Sequence, residues 1–214
     1  MASHLIISIG RQIGAGGLGV ARRLSEEFGL KVYDKELLVE VARESGLDEA
    51  FFAQRDEHST RGLRTALQGF RSLIGSALYN RAGTNTVMTE EQLFKIQSEV
   101  MQKIAAKEDC IFVGRCADYI LRDEPRLVTV FIAADLESRV RNLMRVGGKT
   151  EEEARRFIEQ GDRARAAYYN YYTFKRWGDS ASYDLCVNAS RLGDDEEKVV
   201  DLIRYFMKQR NLLP

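Results

Sequence analysis

Residues 6–19 read Ile-Ile-Ser-Ile-Gly-Arg-Gln-Ile-Gly-Ala-Gly-Gly-Leu-Gly, an apolar run followed by a glycine-saturated loop. Glycines let several backbone N–H groups turn toward one anion, and a helix starting behind them adds the positive end of its dipole. The chemistry this favours is the holding of a phosphate. A loop written G-x-x-x-x-G-K-[ST] also brings a lysine to the terminal phosphates and a hydroxyl to magnesium. Here Gly17 and Leu18 stand at those two places. Arg11, inside the loop, is a candidate for the missing charge, set against the plainer reading of a solvated loop residue. Gly14, Gly16 and Gly19 also satisfy G-x-G-x-x-G, and Asp34 follows Gly14 by 20 residues, which is the fingerprint of a dinucleotide site. Against that alternative, the strand is expected to end near Ile9, so that Gly10 to Ile13 lengthen the loop.

A second concentration of chemistry lies between Gly147 and Trp177. Gly147-Gly148 reads as a hinge, and Thr150 to Glu153 as a capping box opening a helix through Ile158. Asp162, Arg163 and Arg165 follow, then the aromatic run Tyr168, Tyr169, Tyr171, Tyr172 and Phe174. A charged helical excursion between two strands has the form of a lid over a polar substrate. Arginine outnumbers lysine 23 to 9, and arginine forks match phosphate oxygens, although genome composition alone can produce that skew.

The elements that must position these groups alternate. Leu5 to Ile9, Lys31 to Tyr33, Cys110 to Val113, Leu127 to Ile132 and Asp184 to Val187 read as strands. Leu18, Ala21, Leu24 and Phe28 recur at helical spacing, with Gly29 as the stop. Leu37, Leu38, Val41 and Ala42 mark another helix, as do Thr89 to Lys107. A last helix opens at Asp194 and Glu197 and buries Val199, Val200, Ile203 and Phe206. Such alternation predicts an α/β fold, a parallel sheet flanked by helices in three layers. The stripe Leu63, Leu67, Phe70, Ile74 and Leu78 packs on the body or forms a homodimer face.

Bulk properties narrow the partners. The 214 residues carry 32 basic and 32 acidic side chains, so no basic footprint points to nucleic acid. No apolar run approaches ~18 residues, which speaks against a membrane span. Cys110, Cys116 and Cys186 lack metal-ligand spacing and read as small core residues of a reducing compartment. A single cytoplasmic domain over 1–214 is expected, with a helical insertion at about 47–90 and a lid at about 147–177.

The chain resembles the cytidylate kinase-like family, a divergent branch of P-loop nucleoside monophosphate kinases. The resemblance rests on Ile-Gly-Arg-Gln-Ile-Gly-Ala-Gly-Gly at 9–17, Tyr-Asp-Lys-Glu-Leu-Leu at 33–38 and Phe-Val-Gly-Arg-Cys-Ala-Asp-Tyr-Ile-Leu at 112–121. Val-Phe-Ile-Ala-Ala at 130–134, Asp-Arg-Ala-Arg-Ala-Ala-Tyr-Tyr at 162–169 and Tyr-Asp-Leu-Cys-Val-Asn at 183–188 extend it. It implies a P-loop nucleotide kinase fold whose helical insertion binds the phosphoryl acceptor. Gly14, Ala15, Gly16, Gly17, Leu18 and Gly19 would then hold the donor phosphates of ATP. Asp34, Arg115 and Asp162 would meet the acceptor, CMP being the leading one, while Arg11, Arg163 and Arg165 would serve the transferring phosphate. Magnesium would be held mainly by the ATP phosphates, with no metal site of the protein's own. The family's Asp before Gly-Arg is Val113 here, and Cys116 likewise replaces an Asp. Each departure keeps a second reading in view, a nucleotide-binding module without turnover.

If the segment is a lid, Arg163→Ala and Arg165→Ala each lower turnover more than ATP affinity, with Arg156→Ala as the surface control. Equal losses in all three, or none, would remove the lid from the reaction.

Overall fold

The computed structural model describes residues 4–34 and 90–213. Its first strand, β1 (Ile6–Arg11), leads through the glycine loop into α1 (Gly17–Phe28), and β2 (Lys31–Tyr33) follows. After residue 89 come α2 (Glu90–Ala105), β3 (Cys110–Val113) and the short α3 (Ala117–Ile120). Then β4 (Leu127–Ala133) enters a helical hairpin of α4 (Leu136–Gly147) and α5 (Glu151–Thr173). The chain ends with β5 (Leu185–Asn188) and α6 (Glu196–Gln209). The helix expected at Leu37 to Ala42 and the stripe from Leu63 to Leu78 lie outside the described residues, as does the insertion expected at 47–90 apart from Glu90.

All neighbouring strands pair in parallel, in the order β2-β3-β1-β4-β5. Parallel pairing requires helical crossovers, so both faces are covered and the central strands β1, β3 and β4 are mostly apolar and buried. On one face Ile7, Ile9, Ile111, Val130 and Ile132 pack against Val20 and Leu24 of α1 and Val199, Ile203 and Met207 of α6. On the other, Ile6 and Phe112 meet Ile96, Val100 and Met101 of α2 and Tyr168 and Tyr169 of α5. The pleat alternates side chains with a period of two, so Arg11 shares the face of Ile7 and Ile9, toward α1.

Local stops and starts follow expected chemistry at several places. Gly29 ends α1 at φ +66°, and Gly148 ends α4 at φ +59°, conformations in which a Cβ is strained. Thr150 and Glu153 form a reciprocal capping box at the start of α5. Three expectations are corrected. Strand β1 runs two residues past Ile9, because Gly10 and Arg11 keep pairing with Phe131 and Ile132. Helix α5 does not end at Ile158 but continues through Arg165 to Thr173. The cap of α6 is Asp195, whose carboxylate accepts from Glu197 N, while Asp194 sits at φ +57° and accepts from Ser138 and Ser190. Cys110 and Cys116 are core residues, whereas Cys186 is exposed on the edge strand β5.

Leu24 has no solvent exposure, wedged between the sheet and α6. Leu24→Ala is expected to destabilise the protein by about 2–5 kcal/mol, read as a lowered urea midpoint at unchanged slope.

Candidate active site

The loop between β1 and α1 is held from below by the α4–α5 hairpin. Asp162 Oδ1 accepts from Ile13 N at 2.8 Å, and its other oxygen is paired with Arg139. Arg139 Nη1 also reaches Ile13 O at 3.4 Å, and Asn142 Nδ2 donates to Gly14 O at 2.9 Å. From the sheet side, Gln12 Oε1 accepts from Ala134 N. The side chain of Ile13 enters the apolar seam of Val140, Ala154 and Ile158. Close approach requires two glycines here. A Cβ on Gly14 would lie 2.8 Å from Arg139 O, and one on Gly161 would lie 2.8 Å from Ile13 Cγ1.

Above the loop, arginines gather where β1 and β3 end. Arg165 donates to Arg11 O at 2.9 Å, and burial pushes its guanidinium down to about 10, with Asp162 opposing that shift and Arg115 adding to it. Arg115 lies in a turn of three consecutive left-handed residues, with φ +79° at Gly114, +62° at Arg115 and +59° at Cys116. Gln97 of α2 donates to its carbonyl, and its guanidinium lies 5.7 Å from the Tyr168 ring centre. The stem of Arg11 covers Gly17, and its Nη1 lies against Gly114. Arg11, Arg115 and Arg165 therefore converge beside the N-terminal end of α1, where a helix favours negative charge. That arrangement suits a multiply charged anion.

The remaining expected residues are placed less uniformly. Gly14, Ala15 and Gly16 form the loop, and Gly17 to Gly19 the first turn of α1. Leu18 is 39 % exposed, and the Glu196 carboxylate, paired with Arg23, lies beside Gly16 and Gly19. Asp162 is brought to the loop and to Arg139. Arg163 lies on the opposite side of α5, exposed and paired with Glu159. Asp34 follows the end of β2, and β3 separates it from the loop-bearing strand. A dinucleotide fingerprint needs that acid on the strand adjacent to β1. The described residues include no group of three or more His, Cys, Asp and Glu side chains placed for a metal ion. Sequence reasoning missed Arg139, Asn142, Gln12 and Gln97. For the pair on α4, spacing of i and i+3 on an otherwise charged helix was the available signal. It also missed Asp118, which accepts from Tyr169 Oη at 2.6 Å and which burial pushes above the usual carboxylate range.

The profile of the cytidylate kinase-like family matches residues 6–191. A cytidylate kinase from Methanopyrus kandleri is 27 % identical over 202 residues, covering 90 % of this chain and 88 % of its own. Among solved structures, an uncharacterised protein from Eubacterium ventriosum superposes with a TM-score of 0.70 at 26 % identity, over 96 % of this chain and 99 % of that one. A shikimate kinase from Bacteroides thetaiotaomicron superposes with a TM-score of 0.52 at 16 % identity, over 95 % and 98 %. The parallel sheet with helices on both faces is a P-loop kinase fold. No helix among the described residues is long and apolar enough to cross a membrane.

Arg139 is only 8 % exposed, so removing its partner leaves a buried charge. Asp162→Ala is expected to cost about 3 kcal/mol in a denaturant titration. Adding Arg139→Met should cost less than the sum of the two single changes, because the orphaned charge is gone. Arg163→Ala should stay within about 0.5 kcal/mol of the parent, as surface changes do.

Proposed function

Because the chain belongs to the cytidylate kinase-like family, we propose that it moves the γ-phosphoryl group of ATP to a nucleoside monophosphate, with CMP as the acceptor. The observation that carries this reading is the convergence of Arg11, Arg115 and Arg165 above a glycine loop that opens a helix. Phosphoryl transfer asks for little covalent help; it needs in-line positioning and positive charge around the equatorial oxygens. The N–H groups of Gly14 to Gly19 and the dipole of α1 hold the donor phosphates. Arg11 faces the transferring group, and Arg165 keeps four of its five donors beyond the bond to Arg11 O. Arg115 and Asp34 meet the acceptor. Asp162 acts through the loop it holds, and Arg163, exposed and paired with Glu159, is the arginine whose removal tests whether the lid takes part in the transfer. The segment 147–177, which holds α5, serves as the lid, and the protein works in the cytoplasm.

Magnesium enters with ATP as part of the substrate, held by its phosphates and by water. Among the described residues no acidic or histidine cluster is placed for a resident metal, and the Leu18 side chain has no oxygen to offer at the hydroxyl position. The second reading, binding without turnover, draws on the same absence and on Gly17 and Val113 in place of a lysine and an acid.

ADP release measured across nucleoside monophosphates, beside calorimetric binding of each, separates the two readings. Turnover should be fastest with CMP, and Arg115→Ala should reduce it by about a hundredfold. Binding of every nucleotide with turnover of none would leave the module reading standing.

A further inference from the structure

The residue that stands for the lysine does more than leave a gap. Counted back from Gly16, the second glycine of G-x-x-x-x-G-K, Arg11 occupies the place of the first glycine. Two positions of the motif have therefore exchanged character: a glycine has become a cation, and the cation has become a glycine. The structure gives the physical link. A Cβ on Gly17 would lie 2.8 Å from Arg11 Cβ and 2.9 Å from Arg11 Cγ, closer than real Cβ atoms approach.

That clash cannot be relieved by swinging a side chain. Arg11 Cβ is fixed to a strand that pairs with β4 at Ile132, and its carbonyl is held by Arg165. Any side chain at 17, a lysine included, would have to displace β1 or α1. Conversely, the stem of Arg11 fits only because Gly17 has none. The guanidinium then ends at Gly114, where a Cβ would lie 2.0 Å from Nη1. It thus spans from the first turn of α1 to the turn that carries Arg115.

We propose that Arg11 and Gly17 are one unit, a relocated phosphate-loop cation that reaches its anion from the strand side and excludes a lysine on the helix. This rests on the proposed phosphoryl-transfer reading for the identity of the anion, the terminal phosphates of ATP. An arginine in that place offers a planar fork rather than a point charge, and can bridge oxygens on the donor and acceptor sides together.

A set of variants tests the unit through two independent readouts. Melting temperature reads the packing without any ligand. Gly17→Ala should lower it by about 4 °C or more, and Arg11→Gly in the same chain should abolish that penalty. ATP binding by calorimetry, with magnesium present, reads the charge. Arg11→Gln keeps the stem over Gly17 and should remain folded, with a cooperative melt, while binding ATP at least tenfold more weakly. Gly17→Lys alone should melt low and bind poorly, whereas Arg11→Gly with Gly17→Lys should recover ATP binding to within about threefold of the parent. The proposal is overturned if Gly17→Ala melts like the parent, if Arg11→Gln binds ATP unchanged, or if the double variant binds no better than Gly17→Lys. A parent protein that binds no ATP would instead refute the phosphoryl-transfer reading, and the melting cycle would still decide whether the two positions are coupled.

Discussion

The carboxylate of Asp162 ties the glycine loop to both helices beneath it. One oxygen takes the N–H of Ile13 and the other takes the guanidinium of Arg139 on α4. A loop rich in glycine carries a large conformational entropy in the free chain, and a phosphate cradle works only if its N–H groups already point inward. The Asp162 bond, the Asn142 bond to Gly14 O and the insertion of Ile13 into the hairpin seam supply that order before any anion arrives. Loop and hairpin are consequently not separable parts. A movement of α5 would pull on Ile13 and Arg11 at once.

Preorganisation of this kind concentrates unfavourable terms at one end of the sheet. Arg165 is held where desolvation disfavours its charge, with Arg115 close enough to add to the effect. Arg115 and Cys116 both adopt the left-handed conformation, at about 1–3 kcal/mol each for side chains with a Cβ. The rest of the fold offsets these terms. A five-stranded sheet with a buried centre and helices on both faces form the body, while Gln97 and Tyr168 brace the strained turn. An anion bound beside Arg165 would offset part of its desolvation and of its repulsion from Arg115.

Much of this architecture was readable before the structure. The strands at Lys31–Tyr33 and Cys110–Val113 have the expected bounds, the second because a continuous apolar run leaves few alternatives and the first because Gly29 and Asp34 bracket so short a stretch. Gly29 and the Thr150 box worked as stops and starts because their effects are local. The errors came where a distant partner extends an element. Gly10 and Arg11 look like loop residues, yet β4 supplies the hydrogen bonds that keep them in strand. The stretch after Ile158 is weakly amphipathic, yet its inward side is covered partly by Ile13 and partly by Phe94 and the sheet, so the helix continues.

By itself the sequence determined a parallel α/β body, a glycine loop between a strand and a helix, and a stock of arginines beyond it. Those follow from periodicity, glycine placement and residue type, which act over a few neighbours. Tertiary structure decided which arginines meet. Arg163 and Arg165 are two apart on one helix, and only the docking of that helix on the loop turns Arg165 inward and leaves Arg163 in solvent. It also decided that the stem of Arg11 occupies the space a side chain at Gly17 would need. Contacts between residues on different elements depend on how those elements pack, and no local pattern carries that information.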